Sequence, residues 1–212
     1  MLSRNSGGPL APDVWDDGAA YEPYVGRWSR LVAGRFLEWL AIPPRSAWLD
    51  CGCGTGALSE TVLAAADPRV IVGCDRSSGY TAFARGHILD DRARFVVAEL
   101  PDLPRISDGF DAVVAGLVFN FLPDPVNGLA AMATRAREGG TVAGYVWDYA
   151  DGMQMMRAFW DAAVALDPAA APLDEGQRRA QLRDAIRQRL PVAADGTITL
   201  SARAWAVRGI AP

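Results

Sequence analysis

Two acids and three glycines carry the chemistry legible in this chain. Asp50 ends the apolar run Ala47-Trp48-Leu49, and Gly52, Gly54 and Gly56 follow at every second position. A second apolar run, Val70 to Cys74, ends in Asp75. Glycines this dense where a strand turns into a helix admit positive φ and let a ligand approach the main chain. An acid about 20 residues beyond such a turn stands where a ribose diol is held. The pattern is that of a nucleoside-cofactor site. As G-x-G-x-x-[GA], with Gly52, Gly54 and Ala57, the turn fits a dinucleotide fingerprint. Asp50 opposes that reading, because a pyrophosphate would rest on the helix N-terminus at the same turn. A ligand bringing cationic groups to the turn is instead attracted by the acid.

These residues need strands that end together, and the chain supplies them. Tyr21 to Leu40 reads as a helix from the spacing of Val25, Trp28, Val32, Phe36 and Leu40. Ala47 to Asp50 is a short buried strand, Ala57 to Ala66 a helix, and Val70 to Asp75 a β-branched strand. Ser77 to His87 is a helix that Ser77 or Ser78 can cap. Phe95 to Ala98 and Phe110 to Asn120 are the next strands. Pro125 to Arg137 reads as a helix stopped by Gly139-Gly140, and Thr141 to Trp147 as the fifth strand. Apolar strands alternating with helices predict an α/β fold: a Rossmann-like, doubly wound, mainly parallel sheet. Beyond Trp147 the spacing predicts helices over Gly152 to Leu166 and Glu175 to Leu190, then a strand over Thr197 to Arg208. The second helix is rich in arginine and reads as a solvated face with an apolar underside rather than an anion site.

Composition narrows the function classes. The chain has 212 residues, half of them hydrophobic, and a net charge of −4, which disfavours a nucleic-acid partner. Its basic residues are all arginine, which removes lysine bases and Schiff-base chemistry. Three cysteines and one histidine give no metal-ligand spacing, so no metal is expected. The odd cysteine count and the absence of a signal-like leader point to a cytoplasmic protein. No apolar run approaches the roughly 18–20 residues of a membrane span. Residues 1–20 read as a flexible leader and 21–212 as a single domain, with a helical cap or lid over 150–190 that carries Met153, Met155 and Met156.

The segments LDCGCGTG, GCD, AEL, FDAVVAGLVFNFLPDP and REGGTV, in that order, closely resemble the successive motifs of the class I S-adenosylmethionine-dependent methyltransferases. The resemblance runs from about Tyr21 to Trp147 and is strongest to the small-molecule branch that includes quinone-biosynthesis-type enzymes. It implies S-adenosyl-L-methionine as cofactor and a small-molecule methyl acceptor as partner. It assigns Gly52, Gly54 and Gly56, with Asp50 and Cys53 in the same turn, to the methionine and ribose portion. Asp75 takes the ribose hydroxyls, with Arg76 beside it. Glu99 and Leu100 face the adenine, Glu99 standing where the family usually has Asp. The Leu117 carbonyl meets the methionine ammonium, and Arg27, near Tyr24, reaches the cofactor carboxylate. The family's sixth strand has no counterpart between Trp147 and Thr197, the shortfall lying near Gly176 to Gln181, so the last strand is expected to run antiparallel to the fifth. No residue stands out as a catalytic base; Asp148 and Tyr149 are the nearest candidates. Two other readings stay open: a nicotinamide-dependent oxidoreductase, and a catalytically inactive S-adenosylmethionine-binding remnant.

Overall fold

A computed structural model describes residues 27–166 and 175–212. Tyr24 and the leader over 1–20 lie outside the described residues, as does the side chain of Arg27. The chain groups into two compact units, Met1–Gly144 with Arg208–Pro212, and Tyr145–Val207; the second contains the stretch expected as a cap.

The first unit begins with α1 (Arg27–Leu40), β1 (Ala47–Cys51), α2 (Ala57–Ala65) and β2 (Val70–Asp75). It continues with α3 (Ser78–His87), β3 (Ala93–Val97), β4 (Phe110–Gly116), α4 (Pro125–Ala133) and β5 (Ala136–Trp147), whose last residues enter the second unit. The strand order is β3-β2-β1-β4-β5-β6, where β6 is Ala204–Ile210. Strand β1 pairs parallel with both β2 and β4, and β2 pairs parallel with β3. Successive side chains of a strand face opposite sides. Ala47, Leu49 and Cys51 therefore enter one core with Val72, Cys74, Phe110, Val113 and Met132, while Trp48 and Asp50 face the other side.

Several boundaries differ from the sequence reading: β4 ends at Gly116 rather than Asn120, and Phe119–Phe121 forms a single 3-10 turn. Helix α4 stops at Ala133, and β5 already begins at Ala136, so Arg137 lies in a strand and Gly139-Gly140 does not cap a helix. Tertiary bonds override local propensity here. The Arg135 guanidinium donates to Leu103 O at 2.9 Å, and the Arg135 carbonyl accepts from Phe110 N at 2.9 Å. Gly140 is needed because a Cβ would stand 2.9 Å from Phe110 O.

The second unit holds α5 (Gln154–Leu166) and α6 (Glu175–Arg189), which pack on each other. The strand expected over Thr197 to Arg208 forms only from Ala204. Ile198 bridges Val192 in a local turn around Gly196 instead. The last strand, β6, is antiparallel to β5, with Gly139 N donating to Ala211 O and Ala211 N to Gly140 O. Among the described residues no strand lies between Trp147 and Ala204.

Candidate functional site

The parallel register sets Asp50 beside Gly73 and Cys51 beside Cys74, so β1 and β2 end level with each other. The chain then turns back over the end of β2: Gly52 N and Cys53 N both donate to Cys74 O, at 2.7 and 2.9 Å. Gly52, Gly54 and Gly56 all have positive φ, 71°, 53° and 95°. Their open sides differ. A Cβ on Gly52 would lie 2.6 Å from Val118, and one on Gly56 2.6 Å from Ile88, so these two glycines allow close packing. A Cβ on Gly54 would meet nothing within 4 Å. Gly54 is the point of the turn that faces open space.

Asp75 closes the turn. Its Oδ2 accepts from Gly54 N and its Oδ1 from Ser77 N, each at 2.9 Å. Ser77 in turn caps α3 by accepting from Tyr80 N, as its position in the sequence suggests. The carboxylate is thus fixed between the glycine turn and the start of a helix, on a half-buried residue.

Asp50 lies under the turn and is 1% exposed. Its Oδ2 accepts from the Ser59 hydroxyl at 2.7 Å, and its Oδ1 has no hydrogen-bond partner. Burial raises its pKa to about 7, the neighbouring negative charge of Asp75 adding to the rise while the Ser59 bond opposes it. Ser59 gives no sign of this in the sequence beyond being a small polar residue on the first turn of α2. A buried acceptor with no donor is costly unless something supplies one.

The other expected residues are placed as follows. Leu117 leaves β4 at φ 62°, a left-handed conformation that a leucine rarely adopts, and such strain concentrates at functional sites. Cys53 is buried against Ala84 and Phe95, and burial pushes its thiol well up, so it supports the turn from below. Its N–H and C=O are both used, the carbonyl accepting from Gly56 N at 2.9 Å. Arg76 and Glu99 are exposed, and Leu100 packs against the core beside β4. Of Arg27 only its place at the start of α1 is described. The three cysteines are free and buried, and no metal-binding cluster exists among the described residues.

The two candidate bases stand among the following neighbours. Asp148 binds Arg203 through Oδ2, with Nε at 2.6 Å, and Asp151 N donates to its Oδ1. The arginine holds its carboxyl below the ordinary range, so it is a structural anion. Partial burial pushes the Tyr149 hydroxyl above its ordinary value, away from service as a base near neutrality.

The turn discriminates between ligands. Phosphate binding at a glycine turn uses free backbone N–H groups. Here the amides of Gly52, Cys53, Gly54 and Gly56 are all donated internally, and two carboxylates flank the turn. What it offers is an acidic turn that is sterically open at Gly54.

Comparison with known proteins adds the following. Residues 49–140 match the family model described as "Methyltransferase domain". An uncharacterized protein of Synechococcus sp. is 31% identical over 185 residues, covering 84% of this chain and 42% of its own length. A demethylmenaquinone methyltransferase of Clavibacter sepedonicus is 36% identical over 95 residues, 44% of this chain and 38% of that protein. This chain thus spans well under half the length of these curated relatives. Among solved structures, the YcgJ protein of Bacillus subtilis superposes with a TM-score of 0.54 at 14% identity, over 87% of this chain and 98% of that one, a likeness of fold.

Proposed function

We propose that this chain, which carries a class I methyltransferase domain over residues 49–140, transfers the methyl group of S-adenosylmethionine to a small-molecule acceptor. One observation carries the reading: the unpartnered, buried Oδ1 of Asp50 beneath a glycine turn whose tip opens outward at Gly54. A cofactor with an ammonium and a sulfonium fits that acid, whereas a diphosphate does not. The relative named as a demethylmenaquinone methyltransferase supports an acceptor of small-molecule kind.

When bound, S-adenosylmethionine supplies a methyl group already activated by its sulfonium. The chain's own part is to bind, orient and shield. Asp50 supplies negative charge under the turn. Gly54 leaves room for close approach of the ligand to the main chain, and Asp75 offers a carboxylate already fixed in place. The left-handed bend at Leu117 turns the chain after β4. Glu99 and Leu100 are the pair for an adenine, and Arg76 flanks Asp75. Alignment of donor and acceptor can supply up to roughly 7–11 kcal/mol of barrier reduction without a dedicated base. The three free, buried thiols support a reducing, cytoplasmic setting, and no helix among the described residues is long and apolar enough to cross a membrane.

The test is calorimetric titration with S-adenosylhomocysteine and, separately, NADH, followed by turnover with candidate acceptors. Binding of the first ligand and not the second is expected. Tighter binding of NADH would overturn the reading, and binding without turnover on any acceptor class would favour a non-catalytic binding protein.

A further inference from the structure

In the sheet order the chain runs from β1 through β2 to β3 on one side and takes up β4 on the other. In an open parallel sheet a ligand binds at such a switch point, outside the carboxyl ends of the two strands that flank it. Here those strands are β1 and β4. β1 ends in the glycine turn. Its register with β4, Asp50 beside Val114, brings Leu117 to Phe121 to the same end of the sheet. On one side of the switch point stands the glycine turn, on the other the bend after β4.

That bend packs away its neighbours and leaves Phe121 out. Val118 lies against Gly52, Phe119 over Gly144 and Leu122 over Gly128, and Val118 and Phe119 also pack on the core. Phe121 N donates to Val118 O at 2.9 Å, yet Phe121 is 68% exposed. An apolar side chain exposed singly needs no explanation. This one stands one hydrogen bond away from the residue that touches the glycine turn. Its segment is also nearly free of charge. Between Asp111 and Arg135 the one charged residue is Asp124. Its carboxylate is spent at the start of α4, accepting from Asn127 N at 3.0 Å and from Asn127 Nδ2 at 2.7 Å. A molecule entering at the switch point meets an aromatic ring and no cation on the β4 side, and the acids Asp50 and Asp75 on the other.

We propose that Phe121 determines acceptor specificity, its ring packing on an uncharged aromatic ring of the acceptor beside the glycine turn. Such ring pairs favour offset or edge-to-face contact. The inference rests on the methyl-transfer reading, which brings cofactor and acceptor to one switch point, and adds to it the chemical class of the acceptor.

Calorimetry on the whole chain first measures S-adenosylhomocysteine binding, and the complex is then titrated with 1-naphthol or 1-naphthoate. 1-Naphthol is expected to bind, and 1-naphthoate roughly threefold or more weakly, because acids and no cation of the β4 side face its charge. Phe121→Ala should weaken 1-naphthol about three- to tenfold, the range of an aromatic pair, with S-adenosylhomocysteine affinity and melting temperature unchanged. Phe121→Tyr should retain the affinity. Leu89→Ala, at a residue 83% exposed between α3 and β3 at the opposite end of the sheet, should change nothing. Failure of S-adenosylhomocysteine to bind removes the methyl-transfer reading and this inference with it. If that ligand binds, this inference alone is overturned by absence of 1-naphthol binding, by tighter binding of 1-naphthoate, or by equal 1-naphthol affinity in Phe121→Ala. Adsorption to phosphatidylcholine vesicles that Phe121→Ala abolishes, without 1-naphthol binding, also overturns it, in favour of a membrane surface.

Discussion

Asp75 accepts one backbone amide on each carboxylate oxygen, from Gly54 and from Ser77, so its position does not depend on a ligand. Asp75→Ala removes both the anchor of the turn and the acceptor we propose for ribose hydroxyls. Loss of a charge-assisted hydrogen bond corresponds to roughly 1.5–3 kcal/mol, and affinity for S-adenosylhomocysteine should fall about 10- to 100-fold by calorimetry. Unchanged affinity would remove Asp75 from the site. Asp50 makes a different demand, on pH. Its pKa in the folded chain, about 7, lies above the ordinary 3.8, so the folded state holds a proton that the unfolded chain has already released. Its contribution to stability is therefore full below about pH 4, declines as pH rises towards 7, and is flat above it. Denaturant titrations across that range should show the decline in the unaltered chain and lose that component in Asp50→Asn. Because a cationic ligand favours the carboxylate, S-adenosylmethionine affinity should rise through pH 7 and proton release should accompany binding. The residue types of the site were legible in the sequence because their spacing expresses a strand end and a turn. The partners were not. Ser59 reaches Asp50 only once α2 folds back, and nothing local announces that Arg203 pairs with Asp148.

At the scale of elements, the glycine turn separates two kinds of substitution. Gly54→Val places a side chain in open space at a left-handed φ of 53°. The strain amounts to roughly 1–2 kcal/mol, so the protein should stay folded with a modestly lower melting temperature while cofactor binding is lost. Normal binding by this variant would show that the turn does not approach the ligand. Gly52→Ala, in contrast, drives a methyl group to 2.6 Å from Val118 and should cost more stability than the change at Gly54. Apolar runs made β1, β2 and β4 easy to read, because parallel strands covered on both faces are continuous in hydrophobicity. The end of α4 and the start of β6 were not readable. One is set by Arg135 reaching Leu103, the other by Ile198 pairing with Val192 before the sheet is joined. Both are competitions among partners rather than local preferences.

At the scale of the molecule, the strand order leaves β6 at one end of the sheet, where Trp205, Val207 and Ile210 are 62%, 58% and 66% exposed. An apolar edge strand invites pairing with another chain. Light scattering at rising concentration should show self-association, and Val207→Lys should lower it at unchanged secondary structure; no difference between the two proteins would mean that the edge is not where copies meet. The same strand bears on how the protein is made. Asp148 waits for Arg203, 55 residues further along, and Gly139 for Ala211, whereas β1, β2, β3 and β4 find their partners within earlier sequence. A nascent chain emerging from the ribosome can thus complete the glycine turn and its acids while the end of β5 is still unpaired. For the interval of synthesis between Asp148 and Arg203, the protein has its glycine turn and the two acids beside it and not yet its final strand.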